Sequence, residues 1–473
     1  MKKFIITVAG IATAGVAAGL FFYPSYQGQR AHEVLAQQLQ KWQTDIRENE
    51  VGELQVLKHV TQDQTSRIEL ALEVPFKARL SERQLKLLPD APETLTINSD
   101  VAVELGSIPS RYGFASIDSK IYSQDFDQQF KSLGAQTKLV INCETKPTSA
   151  VINTNCESTP IAIHDPKAIK KVGSKPADTM EMSPVKMSIA MDPASQRIDS
   201  TTELDSMRLQ VKGKPIFELK NFASQGAGPF REFDLAAMLN NISGQGLEEG
   251  DHLLAGQIEQ MNYTNGQKQA TVVNDLKIEV PIKITDGVMG GEFNISMADI
   301  VSEAQVLKGF NFDLAYKNFN LTELQGLYSS VQQGQAPVQA ASSEQLTAMF
   351  ATAPELGLDL EVTYPDDEKI TLALAAMVKK TPKAELEKLV TTLMDTSIAP
   401  QAAMQNLRKL LSLNVDLLVA KSVAKSIAQL VVGAQSGQPH ASLQQAEQGL
   451  AMLEMMSILS KNDAGAYTMQ LVL

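Results

Sequence analysis

Apolar residues fall on every second position along Ile68, Leu70, Leu72, Val74 and Phe76, with Arg67, Glu69, Ala71, Glu73 and Pro75 between them. A period of two places the first set on one face of a strand and the second on the other, so this stretch predicts a strand with one dry and one wet face. The alternation returns at Leu276, Ile278, Val280, Ile282 and Ile284, and on a smaller scale at Met207, Leu209 and Val211. Glu73-Val74-Pro75-Phe76-Lys77 and Glu279-Val280-Pro281-Ile282-Lys283 are alike enough to read as a duplicated hairpin half. Each carries a proline that removes one ladder donor, which predicts a sheet edge or a bulge there. Leu356 to Tyr364 and Ile370 to Ala376 are two alternating runs joined by Pro365-Asp366-Asp367-Glu368, the pattern of a hairpin.

Elsewhere the period lengthens. Leu35, Leu39, Trp42 and Ile46 recur at intervals of four, three and four, which makes one apolar stripe on a helix within residues 24–50. Its polar face mixes acids, bases and glutamines rather than the Lys/Arg-rich surface of an interfacial helix, so the stripe is expected to pack on its own domain or on a second copy. Short helices are predicted over 234–241 and 322–331. Further helices follow over 382–394, 400–410, 422–432 and 442–460, with strands at 411–419 and 467–473. Met394, Met404, Met452, Met455 and Met456 lie at helical spacing and read as core. Pro, Ser, Thr and Lys crowd residues 145–185, which predicts a long irregular excursion.

The N-terminus differs in kind. Phe4 to Tyr23 is apolar apart from Thr7 and Thr13 and carries no charge. At about 1.5 Å per residue it spans roughly 30 Å, the thickness of a hydrocarbon core. Lys2 and Lys3 and the small residues Ala12, Ala14, Ala17 and Ala18 would also suit a cleaved signal peptide. The run is longer than an ordinary signal core of ~7–15 residues, and it closes on bulky Leu20, Phe21, Phe22 and Tyr23. An uncleaved anchor is the expectation. The positive-inside rule holds residues 1–3 in the cytoplasm and sends the rest across, in a bacterium into the periplasm.

These elements give an α+β, β-rich class: long antiparallel meander sheets with C-terminal helices on part of the sheet, preceded by one transmembrane helix. The division read from the pattern is a β-rich region over 51–335 and a mixed α/β region over 336–473. Composition agrees with a chain able to bury a core, at 44% hydrophobic and 20% charged residues. The net charge of -12 repels polyanions, so nucleic acid is excluded as a partner.

Cysteine is scarce. Cys143 and Cys156 stand thirteen positions apart, and export would make them a disulfide contributing about 3 kcal/mol; two free thiols are the alternative. The five histidines, His32, His59, His164, His252 and His440, show no metal-ligand spacing, and no cofactor is indicated. No Gly-x-Ser-x-Gly elbow, P-loop, His-Glu-x-x-His or paired Cys-x-x-Cys occurs. His164-Asp165-Pro166 and Asp366-Asp367-Glu368 read as surface turns before they read as a polarised histidine or a calcium site.

The basic N-terminus, the anchor, Tyr26-x-Gly28 with a following basic residue, the amphipathic helix, and Gly113-Phe-Ala-Ser-Ile-Asp-Ser-Lys-Ile121 together resemble the YdgA-like family. That resemblance implies a single-pass bacterial inner-membrane protein with its bulk in the periplasm, and it carries no catalytic residue with it. The expected role is therefore non-enzymatic: binding or scaffolding of envelope proteins, or self-association. The alternative is a lipid- or lipoprotein-handling module. A sheet whose apolar face is left uncovered would favour the alternative, and a helix-filled face the first.

Overall fold

The computed structural model describes residues 29–48, 52–79, 92–104, 115–128, 137–148, 151–164, 179–229, 249–264, 270–302, 306–332, 342–394, 400–425, 428–429, 442–455 and 459–472, apart from a few single positions within them. The anchor, Phe4 to Tyr23, and the helix expected over 234–241 lie outside the described residues. Among the described residues no helix is long and apolar enough to cross a membrane. The chain divides into two compact units, residues 1–248 with 258–269, and residues 249–257 with 270–473.

Unit 1 opens with helix α1 (Gln29–Glu48). Strands β1 (Glu53–Gln62), β2 (Thr65–Val74), β3 (Leu95–Glu104), β4 (Ser116–Tyr122), β5 (Val140–Pro147) and β6 (Ile152–Ser158) follow, each antiparallel to the one before. Then come β7 (Ile161–Ile163), β8 (Thr179–Met182), β9 (Val185–Asp192), β10 (Arg197–Val211) and β11 (Lys214–Pro229). β6 pairs with β9 and β7 with β8, while β10 pairs with β8, β9 and β11. Pro160 and Pro184 stand where these two long ribbons break, positions at which the ladder loses a donor.

One face of this sheet is sealed. Leu35, Leu39, Trp42 and Ile46 of α1 are 0–4% exposed, and the first three pack with Ile68, Leu70, Val101, Val103, Ile117 and Ile152. The four-three-four stripe thus does what its spacing predicts. The expected irregular excursion over 145–185 is corrected by the structure: β5 and β6 form a hairpin there, turning through Thr148. Polar strands conceal themselves from an apolar count, because Asn142, Glu144, Asn153 and Asn155 occupy the wet face and Thr145 and Thr154 meet on the dry one, 2.9 Å apart.

β12 (Gly250–Thr264) is followed in unit 2 by β13 (Ala270–Thr285), β14 (Val288–Met297), β15 (Asp299–Ser302), β16 (Val306–Leu307) and β17 (Gly309–Asn320). Helices α2 (Leu321–Gln332) and α3 (Ser343–Ala351) lead into the hairpin β18 (Glu355–Thr363) and β19 (Lys369–Val378). Helices α4 (Lys383–Met394) and α5 (Pro400–Leu410) precede β20 (Leu411–Val419), and α6 (Leu443–Met455), β21 (Ser460–Lys461) and β22 (Tyr467–Val472) complete the order. The pairing runs β13, β14, β17, β18, β19, β20, β22, all antiparallel. The turn between β13 and β14 is Asp286-Gly287, both at positive φ (53° and 72°), the backbone that the right-handed twist of a hairpin demands. Pro281 sits in a lapse of the ladder between the pairs Glu279/Asn294 and Ile282/Gly291, the bulge-like reading of that proline.

Candidate functional site

The strand registers of unit 2 align apolar side chains into continuous rows. One row runs Ile278, Ile295, Phe312, Leu360, Leu372, Leu417, Met469. The next runs Phe293, Leu314, Leu358, Leu374, Val415, Leu471. Period-two alternation puts both rows on one face, and the meander order extends them across the sheet.

Among the described residues, helices pack on the two ends of that face. At the Val378 end, Leu386 and Val390 of α4 and Leu410 of α5 pack with Leu346 and Phe350 of α3. At the Ile370 and Val419 end, Val423, Ala424, Leu450 and Tyr467 form a second cluster. The side chains of the first row are all half-buried, with Leu417 packed against the second cluster, and Leu471 in the second row is 44% exposed. Unit 1 supplies the comparison: in its central row Ile68, Val101, Ser119, Cys143 and Cys156 are 1–5% exposed.

The wet face of unit 1 has the opposite chemistry. Lys58, Glu69, Asp100, Lys120, Asn142, Glu157, Lys186 and Glu203 form a row across eight strands. Together with the neighbouring row it borders a broad trough of about 860 Å³. Opposite charges lie side by side along much of this row, Lys58 contacting Glu69 at 3.3 Å, and beside the row the neutral Tyr122 ring lies under Lys120 at 5.9 Å. Burial first, and then the Asp100 carboxylate, push the Tyr122 phenol up. The trough's self-compensating, water-facing lining gives a ligand little that solvent does not. The apolar face of unit 2 offers transfer out of water, worth about 25 cal/mol per Å².

Further along that wet face, the Arg208 guanidinium donates to Glu218 at 2.6 Å, and Asn262 adds a bond at 3.3 Å. These hydrogen bonds hold the Glu218 carboxyl below the usual carboxylate value.

The sequence-predicted disulfide is present: Cys143 and Cys156 face each other across β5 and β6 and are bonded. Both point to the sealed face at 4–5% exposure, so the bond pins two adjacent strands and is shielded from exchange. His164 is exposed beyond β7, and Asp366-Asp367-Glu368 form the β18–β19 turn, closed by Tyr364 donating to the Glu368 carbonyl. Among the described residues no group of three or more His, Cys, Asp or Glu side chains could hold a metal ion. The methionines are corrected: Met394, Met452 and Met455 are 40%, 59% and 81% exposed and so are not core. In α6 the buried positions are Ala446 and Leu450, a stripe too narrow to include them. The side chains of Met404 and Met456 lie outside the description.

A model of the family described as "Bacterial protein of unknown function (DUF945)" matches residues 1–473. No curated protein and no solved structure matches the chain.

Proposed function

The chain belongs to the DUF945 family of bacterial proteins, and for this member we propose a lipid-handling role at the cell envelope. In this reading Phe4 to Tyr23 anchors the chain in the inner membrane, with residues 1–3 in the cytoplasm and the bulk in the periplasm. Unit 2 receives acyl chains on its apolar face, and the role requires no catalysis.

The observation that carries the proposal is the row from Ile278 to Met469, apolar at all seven positions and only half-buried throughout. A continuous row of apolar side chains left partly open to solvent across seven strands supports a binding surface on this face. The sealed face of unit 1 argues that the chain builds an ordinary covered sheet where only stability is needed. A protein-binding scaffold is the second reading, and the exposed Met452 and Met455 of α6 favour it, since methionine adapts to varied partners.

The test uses the full chain with vesicles containing a phospholipid whose acyl chain carries a photoactivatable diazirine. Crosslinks are expected on Phe312, Leu360, Leu372 and Leu417. Labelling confined to the segment Phe4 to Tyr23 would leave the anchor and overturn lipid handling.

A further inference from the structure

Helix α6 turns a face to water that packing does not explain. Ala446 and Leu450 are its buried residues, and Leu450 packs with Val419, Val423 and Tyr467 at the end of the sheet. At about 100° per residue, Met455 stands roughly 180° from Ala446 around the helix and Met452 roughly 120° from it. The two methionines are 81% and 59% exposed. Gln444, Gln448 and Ala451 share that side, exposed and uncharged. Charge lies on the flank instead, where Glu447 pairs with Lys425 and Glu454 with Lys461.

This placement separates sulfur chemistry from stability. Cys143 and Cys156 are tied up in their disulfide, so methionine sulfur is what an oxidant meets first. Hydrogen peroxide gives one oxygen to a thioether: the O–O bond breaks, an S–O bond forms, the sulfur gives up two electrons and water leaves. The product is polar and disrupts a core that must hold it. Met182 and Met191 would suffer in that way, being 5% and 3% exposed inside two clusters of unit 1. On the outer side of α6 water solvates the new S–O group. The contacts of Leu450 and the two flanking ion pairs are untouched.

We propose that Met452 and Met455 are a reversible modification site, which a peroxide converts to sulfoxides while α6 stays in place and a methionine sulfoxide reductase restores. In the return step the oxygen leaves as water while a dithiol becomes a disulfide. The exposure that admits the oxidant also admits the reductase. Oxidation makes an apolar surface polar, so it withdraws the adaptable contact that a protein partner would grip. The site stands on the exposure of α6 and is independent of lipid handling.

The test treats the purified full chain with limiting hydrogen peroxide and follows each methionine by fragmentation mass spectrometry. Met452 and Met455 are expected to gain oxygen roughly tenfold faster than Met182 and Met191. A chain oxidised at these two positions is expected to keep the denaturation midpoint of the untreated chain. The pair of reductases that take opposite sulfoxide epimers should then return both residues to methionine. Equal rates at the exposed and buried positions, a lowered midpoint, or sulfoxides that resist both reductases would each overturn the proposal. The double variant Met452→Leu, Met455→Leu should lose the fast oxygen uptake with its midpoint unchanged. Fast uptake that persists in the variant places the reactive sulfur elsewhere, and a fallen midpoint shows that these side chains do support the fold; either result overturns the assignment.

Discussion

A methyl group at position 291 would lie 2.3 Å from the Pro281 carbonyl oxygen and 2.8 Å from the Tyr316 hydroxyl. The first neighbour is backbone and cannot swing aside. Gly291→Ala is therefore expected to cost about 1–3 kcal/mol, read as a lower denaturation midpoint, and an unchanged midpoint would show that the strands part freely there. Glu218 gives a pH-dependent counterpart. Its carboxyl is held below the ordinary 4.5, so its contribution is present above that value and lost as pH falls through the lowered one. The Arg208 side chain is 46% exposed, and solvent screening holds the contribution to about 0.5 kcal/mol. Glu218→Gln should lose that stability at neutral pH and lose less than wild type between pH 5 and pH 3, measured by urea midpoints across that range. Parallel curves would sink the assignment. The crowding at Gly291 was not legible beforehand, because alternation says which face a residue occupies and not how closely the Pro281 carbonyl approaches it.

At the scale of elements the sequence was read most securely where a period persists. The stripe of α1 and the β18–β19 hairpin each emerge where their spacing places them, because four or more side chains must agree on one face. The β5–β6 hairpin was missed for the converse reason: between Ile141 and Ile152 its dry face carries Cys143, Thr145, Thr154 and Cys156, which break the apolar alternation. The helix α6 failed differently. Its methionines keep helical spacing, yet a short helix at the end of a sheet buries only a narrow stripe. Starts of helices were available in the chain, since Ser342 with Gln345 and Ser442 with Gln445 exchange side-chain to backbone bonds in the capping pattern. The contribution of α1 can be measured directly. Trp42 is 4% exposed within the sealed cluster of unit 1, so Trp42→Ala should destabilise it by about 3–5 kcal/mol in denaturant unfolding. A loss below 1 kcal/mol would mean that α1 rests on the sheet without closing it.

The molecule builds the same device twice and finishes it differently. Both units are antiparallel meanders with one apolar face, which the alternation announced, but alternation is blind to what lies over a face. In unit 1 a helix with a matching stripe covers it; in unit 2 the helices among the described residues gather at the strand ends. The candidate site arises from that difference, which is why the strands could be read from sequence and the opening between the helices could not. The difference has an energetic signature. Ile117 is 0% exposed, and a carboxylate placed there has neither water nor a partner. Ile117→Glu should cost more than about 4 kcal/mol or prevent folding. Leu372 is half-exposed in the middle of its row, where an introduced carboxylate can reach solvent, so Leu372→Glu should cost about 1 kcal/mol. Denaturant midpoints of the two full-length variants decide the matter. A wide gap leaves the face of unit 2 open to a ligand, whereas equal costs would mean that something in the chain covers it as closely as α1 covers its own sheet.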